Sequence, residues 1–159
     1  RDYKVTGVQT CALPIFNILS NLAYHNRKIS VFGGKQLRPN IHISDMVEAY
    51  VALLDAPDQL IAGKIFNAGY ENQSVEELAL LVQDVMGDDV ELIQTPTNDN
   101  RSYHISSARI REVLGFVPRH SIRDAVVDMK QAFDAGLLPN SLTDEKYFNI
   151  KRMQSVKLR

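Results

Sequence analysis

The sequence predicts an α/β or α+β fold built from short strands that alternate with helices. Three observations support it: apolar residues recur at helical spacing in several segments, short alternating runs separate those segments, and capping residues or glycines mark their ends. The chain has 159 residues, of which 45% are hydrophobic and 23% are charged. This size and composition fit one globular domain with a buried core.

Two helices and three short strands are predicted in the first half. One helix covers residues 17–26, and a second begins after a cap at Ser44 or Asp45 and carries the apolar face of residues 46–54. Short strands are predicted at the positions with alternating apolar residues or a β-branched run, namely 28–32, 41–43 and 64–67. The pair Gly33-Gly34 predicts a turn after the first strand.

The second half continues the alternation. Ser74 and Glu77 form a capping-box pattern that opens a helix, and Gly87 is predicted to end it. A strand over 90–94 and a polar loop over 96–100 follow. Two further helices are predicted, from Ala108 to Leu114 with Gly115 at the end, and from the cap Ser121 to Gly136. Residues 137–159 form a less periodic tail with a basic end.

Bulk properties exclude several classes of function. The net charge of −1 gives no electrostatic reason to expect nucleic acid as a partner. No apolar run approaches the roughly 18 residues of a membrane span. The single cysteine, Cys11, cannot form an internal disulfide or a zinc site, which suits a reducing compartment. We therefore expect a cytoplasmic protein without a membrane or nucleic-acid partner.

Residues 1–16 are predicted not to belong to the fold. They show neither helical nor strand periodicity, and Val5 to Ile15 resembles translated read-through of a sequencing adapter. The alternative is a native loop with a short strand. On the first interpretation, the domain begins near Asn17.

Two arginines stand in distinctive local phrases. Arg38 lies between Phe32-Gly33 and His42, and Arg101 precedes a Ser-Tyr-His sequence that includes Tyr103. A guanidinium is always charged and presents forked donors, so two that converge suit a diphosphate. The alternative is that each is one of the chain's solvated surface arginines.

The surrounding phrases resemble the C-terminal part of the extended short-chain dehydrogenases, specifically the NAD-dependent nucleotide-sugar epimerases and dehydratases. The resemblance covers about residues 17–136. Five phrases occur in the family's order: Phe32-Gly33 with Arg38, His42-Ile43-Ser44-Asp45, Phe66-Asn67-Ala68-Gly69, Arg101, and Leu114-Gly115-Phe116-Val117-Pro118. Two positions depart from the family pattern, because Pro39 and Ser106 stand where aspartate is frequent; Ser106 can still act as a helix N-cap.

This resemblance implies the C-terminal substrate-binding lobe, with elements that return to a Rossmann sheet, and an N-terminal dinucleotide-binding half that is missing. The intact parent would be an NAD-dependent (or NADP-dependent) epimerase or dehydratase, expected as a homodimer, that acts on a nucleotide-diphosphate sugar. Arg38 and Arg101 would grip the diphosphate. Tyr103 and the 96–100 loop would border the nucleotide or sugar.

The sequence lacks the parts needed for hydride chemistry. None of the 8 glycines forms a dinucleotide-binding Gly-rich pattern, so we expect no tight cofactor binding. The family's catalytic Tyr-x-x-x-Lys spacing occurs at Tyr24–Lys28 and Tyr147–Lys151. By the resemblance, Tyr24 is too close to the phrase that begins at Val31 and Tyr147 lies far beyond it. The four histidines have no metal-ligand spacing. We therefore expect no catalytic residue in this chain.

Two alternatives remain open at this stage. One is a non-catalytic NAD(P)-binding or regulatory relative that keeps the fold without turnover. The other is a free-standing small α/β binding module, which would need a self-sufficient core.

Overall fold

The computed structural model describes residues 15–98 and 101–156. Its helices are α1 (Ile15–Asn26), α2 (Ile43–Leu54), α3 (Asp58–Ile61), α4 (Val75–Met86), α5 (Ala108–Leu114), α6 (Ile122–Asp134) and α7 (Asn149–Ser155), with a 3₁₀ turn at Glu145–Tyr147. Its strands are β1 (Lys28–Phe32), β2 (Leu37–Asn40), β3 (Glu71–Ser74) and β4 (Glu91–Thr95).

The main layer is a pair of parallel strands covered by helices. β1 and β4 pair in register from Lys28 opposite Glu91 to Phe32 opposite Thr95. Helices α1, α4 and α6 pack together on this pair, since apolar side chains from each meet in one cluster. The most buried members of that cluster are Ala23, Ile29, Val31, Leu78, Ala79, Val82, Val90, Ile122 and Val126.

A second, smaller unit lies beside this core. β2 and β3 pair antiparallel, with Leu37 opposite Ser74 and Asn40 opposite Glu71. Strand β3 runs directly into α4, so the ribbon is fixed to the core by the start of that helix. A separate apolar cluster of Ala49, Ile110 and Phe116 connects α2 with α5 and the turn that follows it.

Local sequence signals explain most of the helix ends. Ser74 with Glu77, and Ser121 with Asp124, form complete capping boxes, so the predicted helix starts are confirmed. Helix α4 ends at Gly87, and α5 spans the predicted residues and ends at Gly115, which adopts φ of 67°. A left-handed residue at this position favours glycine because it has no Cβ.

Two predictions in the first half are wrong. Residues 41–43 do not form a strand, and α2 is capped by His42, whose Nδ1 accepts a hydrogen bond from the Ser44 N–H, rather than by Ser44 or Asp45. Residues 64–67 also form no strand, and Ile65 is 79% exposed. An extended segment becomes a strand only beside a partner, and the described strands β1–β4 and β2–β3 pair with one another.

The chain ends differ from expectation in smaller ways. Helix α1 begins at Ile15, two residues before the predicted start, and Phe16 is buried in the core. The remaining residues of the segment predicted to be non-native, 1–14, lie outside the described residues. The tail carries two short helical elements, and its Ser141 accepts a hydrogen bond from Asn21 on α1. Within residues 15–98 and 101–156, no helix has the length and apolar character to cross a bilayer.

Candidate functional site

The structure brings Arg38, Arg101 and Tyr103 together on the outer side of the β2–β3 ribbon. Arg38 Nη1 donates to the carbonyl oxygen of Arg101 at 2.7 Å, and Arg38 Cζ lies 5.4 Å from the centre of the Tyr103 ring. Arg38 is half-buried, whereas Arg101 and Tyr103 are exposed. The three candidate residues chosen from sequence are therefore neighbours, although 63 positions separate the two arginines.

Residues 101–107 run along the ribbon without forming a strand of their own. The Tyr103 N–H donates to the Leu37 carbonyl at 3.0 Å, and the Leu37 N–H donates to Ser102 Oγ at 2.9 Å. Further along, the Asn72 amide exchanges two hydrogen bonds with the backbone of Ile105, each 3.0 Å long. Side chains and single backbone contacts thus hold this segment in place.

Gly69, from the family phrase that ends in Asn-x-Gly, lies under the same segment. A Cβ at this position would lie 2.5 Å from Ile105 Cδ1 and 3.2 Å from Ile105 Cγ1, so the Ile105 side chain would have to shift. Ser107 Oγ accepts from the Gly69 N–H and donates to the Gly69 carbonyl, both at 2.9 Å. The glycine therefore permits close approach of the segment that carries Arg101 and Tyr103.

A small groove of about 280 Å³ adjoins this segment. It is lined by Gly33, Lys35, Gln36, Thr97 and Ser102. Gly33 has φ of 77°, and a Cβ there would also meet the Gln36 side chain at 2.4 Å. The Gln36 side chain stabilises the turn at Gly33-Gly34. Its Oε1 accepts from the Gly34 N–H at 2.8 Å, and its Nε2 donates to the Phe32 carbonyl at 3.2 Å. Residues 99 and 100 of the predicted 96–100 loop lie outside the described residues.

His42 and Asp45 from a second family phrase form a network at the start of α2. Asp45 is fully buried and accepts from the N–H groups of Arg119 at 3.1 Å and His120 at 2.9 Å. Its carboxylate also lies 2.9 Å from His120 Nδ1. The His42 ring stacks on His120 with 4.7 Å between centroids, so these side chains join α2 to the turn before α6.

This network shifts two pKa values. Burial alone would raise the pKa of Asp45, but the hydrogen bonds from His120 and from the backbone N–H of Arg119 outweigh it, and the pKa is lowered. The hydrogen bond to Asp45 raises the pKa of His120. His42 is buried, caps α2 and lies 3.3 Å from Asp128, which indicates a structural role.

In the first Tyr-x-x-x-Lys match, Tyr24 and Lys28 contact different partners, and in the second the side chain of Lys151 lies outside the described residues. The Tyr24 hydroxyl donates to Asp134 at 2.8 Å, while Lys28 pairs with Glu91 at 3.4 Å. Tyr147 lies beside Lys146, whose Nζ is 4.8 Å from its ring centroid. No group of three or more potential metal ligands occurs among residues 15–98 and 101–156.

The described residues do not fit a dinucleotide. Pyrophosphate sites of this kind use a glycine-rich turn that opens into a helix N-terminus. Here the Gly33-Gly34 turn leads into strand β2, and Gly69 precedes strand β3.

A larger apolar groove of about 800 Å³ lies away from the arginines, between α1, α6, the start of α2 and residues 138–148. Most of its lining is apolar, including Phe16, Leu22, Met129 and Phe148. It offers few polar groups to orient a small ligand.

Sequence reasoning missed several residues that shape the candidate site, among them Asn72, Ser102, Ser107 and His120. Each acts through a contact between positions far apart in the chain, such as the 33 positions between Asn72 and Ile105. The capping signals of the sequence are local, so they could not reveal these partners.

Comparison with known proteins supports the family resemblance found in the sequence. Residues 14–69 match the model of the NAD dependent epimerase/dehydratase family. A UDP-glucose 4-epimerase from Azospirillum brasilense is 29% identical over 107 residues, which cover 65% of this chain and 31% of that protein. The resemblance to the NAD-dependent epimerase/dehydratase family is confirmed. The match also shows that the chain spans about a third of this curated relative.

Solved structures agree on the fold. UDP-glucose 4-epimerase from Thermotoga maritima, solved with UDP-glucose, aligns with a TM-score of 0.67 at 20% identity, over 77% of this chain and 40% of that chain. An L-threonine dehydrogenase from Phytophthora infestans aligns with a TM-score of 0.68 at 17% identity, over 77% and 41%. The chain thus has part of a Rossmann-type α/β fold, and this fold alone does not select the substrate.

Proposed function

We propose that this chain supplies the nucleotide-diphosphate end of the substrate site in an NAD(P)-dependent nucleotide-sugar epimerase or dehydratase. The observation that carries this proposal is the contact between Arg38 Nη1 and the Arg101 carbonyl, which brings the Arg38 side chain to the backbone of the second family phrase. Tyr103 adds an aromatic surface 5.4 Å from Arg38.

Charge and exposure support an anionic ligand at this point. A diphosphate offers several oxygens, and guanidinium groups bind such oxygens through charge-assisted hydrogen bonds. Arg101 is exposed on the segment held against the ribbon, and Lys35 lines the neighbouring groove. Tyr103 and the loop that begins at residue 96 would border the nucleotide or sugar.

The intact parent, on this proposal, is a cytoplasmic homodimer that binds NAD or NADP in an N-terminal Rossmann half. When bound, the cofactor would supply the acceptor for the hydride that leaves the carbon bearing a sugar hydroxyl as that hydroxyl is oxidised to a ketone. Residues of the present chain would bind and orient the nucleotide end, without nucleic acid or membrane as partners. We also propose that residues 17–136 form the C-terminal part of the epimerase/dehydratase domain.

The chain alone is proposed to be inactive. Positioning and proton transfer supply many orders of magnitude in rate, which two arginines cannot replace. The test is incubation of the purified protein with NAD and a panel of nucleotide sugars. Stoichiometric NAD binding with measurable epimerisation or dehydration would contradict this part of the proposal.

A second candidate function is a non-catalytic or regulatory relative of the same fold. This alternative remains because the fold alone does not establish turnover. An intact Tyr-x-x-x-Lys pair and a Gly-rich turn in the parent reading frame would favour the enzyme, and their loss would favour the relative without turnover.

The central test is calorimetric titration of UDP into the chain and its variants. We expect Arg38→Ala and Arg101→Ala each to weaken binding by about 1.5–3 kcal/mol, the scale of a charged hydrogen bond. Arg111→Ala, on the exposed surface of α5, is the matched control and should bind like the unmodified chain. Equal losses in all three variants would indicate nonspecific attraction of an anion to positive charge.

A further inference from the structure

We propose that Asn72 is a positioning residue for the diphosphate site, acting through the segment that carries Arg101 and Tyr103. This inference rests on the proposed function, since it names the side chain that aligns the proposed site. Asn72 itself contacts neither arginine in the hydrogen bonds described. It acts on Ile105, two residues beyond Tyr103 and four beyond Arg101.

The Asn72 amide behaves like the peptide group of a neighbouring strand. Its Oδ1 accepts from the Ile105 N–H and its Nδ2 donates to the Ile105 carbonyl, each at 3.0 Å. A hydrogen-bonded pair of residues in an antiparallel ladder exchanges the same two bonds. The Asn72 side chain therefore pairs the ribbon with the Ile105 backbone as a strand peptide group would.

The position of Asn72 on the ribbon links this pairing to Arg38. Asn72 lies opposite Pro39 in the register of β2 and β3, one residue from the pair formed by Arg38 and Gln73. The bond between the Tyr103 N–H and the Leu37 carbonyl holds the same segment on the β2 side. Segment 101–105 is thus tied at two points to the ribbon that carries Arg38.

This anchoring has a direct consequence for binding. Arg101 and Tyr103 are exposed, and an exposed segment pays a cost in conformational entropy when a ligand orders it. The two hydrogen bonds between Asn72 and Ile105 order the segment before the ligand binds, so less conformational entropy is lost on binding. Ser107, bonded to Gly69, fixes the far end of the segment but lies six residues from Arg101.

The experiment measures UDP affinity together with hydrogen exchange of the Ile105 amide. Asn72→Ala should lose about 10-fold in affinity, equivalent to one hydrogen bond, and should lose protection of the Ile105 amide. Asn67→Ala is the matched control, because the Asn67 amide makes a single 3.4 Å bond to Ser106 on the same segment. The Asn67→Ala variant should bind UDP with an affinity within about twofold of that of the unmodified chain.

A double variant separates positioning from general stability. If Asn72 acts through Arg101, Asn72→Ala in an Arg101→Ala background should weaken binding much less than it does alone. Full additivity, or unchanged affinity in Asn72→Ala, would overturn the role of Asn72. Should Asn72→Ala fail to fold, Asn72→Ser is judged by the same criteria. Absence of UDP binding by the unmodified chain would instead overturn the proposed function.

Discussion

At Gly69 the chain passes so close to Ile105 that a Cβ would lie 2.5 Å from Cδ1 of that side chain. We predict that Gly69→Ala lowers the free energy of unfolding by about 1–2 kcal/mol, the scale of overpacking, and also weakens UDP binding. Chemical denaturation and titration measure the two effects. Ile105→Val removes the clashing Cδ1, so the double variant should recover most of the loss. No recovery would mean that Gly69 serves another purpose.

Residue-scale features of the candidate site were only partly predictable. Arg38, Arg101 and Tyr103 could be chosen because each stands in a phrase that resembles the family. Asn72 could not, because its partner is defined by the approach of a segment 33 positions away. The cap of α2 was misassigned for a related reason: histidine is an unusual N-cap, and the sequence offers the commoner capping residues Ser44 and Asp45 next to it.

At the scale of elements, the contact between Asp45 and His120 joins α2 to the turn before α6. The stability that this contact contributes depends on pH. The raised pKa of His120 contributes stability that is complete below its unfolded value and is lost as pH rises through the folded value. The lowered pKa of Asp45 contributes stability above its unfolded value, which is lost as pH falls through the folded value. The contact between Asp45 and His120 therefore stabilises the fold most between about pH 4 and 6.5.

We predict that Asp45→Asn reduces the loss of stability that otherwise occurs as pH rises above about 6.5. Neighbouring charges that face His120 are Glu48 on α2 and Asp124 on α6, and both also favour its protonated form. Denaturant titrations at pH 5 and pH 8 would measure the change. His104→Gln replaces an exposed histidine and should leave the difference intact. An unchanged pH dependence in Asp45→Asn would show that the contact does not govern it.

The ends of the helices were the most predictable elements, because capping boxes and glycines act within one turn of the chain. Residues 64–67 show the opposite case. Their composition suits a strand, yet a strand requires a neighbour to accept and donate hydrogen bonds. Among the described strands, none pairs with this segment.

At the scale of the whole molecule, the outward face of α2 carries several exposed apolar side chains. Ile43, Val47, Tyr50 and Leu54 follow the 4-3-4 spacing of a helix-packing seam and are 53–84% exposed. Contiguous apolar patches of this kind favour association. We predict that the chain self-associates and binds a hydrophobic dye.

The variant Val47→Lys/Tyr50→Lys should reduce both self-association and dye binding, as measured by light scattering and fluorescence. Leu80→Lys, on α4, replaces an apolar residue that is 50% exposed but lies outside the seam, and should change neither. Equal behaviour of the two variants would show that the α2 face is not the cause.

A crystal structure of the chain with UDP-glucose tests the central claim most directly. The account predicts that the diphosphate oxygens lie within hydrogen-bonding distance of both the Arg38 and the Arg101 guanidinium groups, with Tyr103 beside the nucleotide or sugar. A structure in which the two guanidinium groups point to opposite faces, or in which UDP-glucose occupies a different surface, would contradict it.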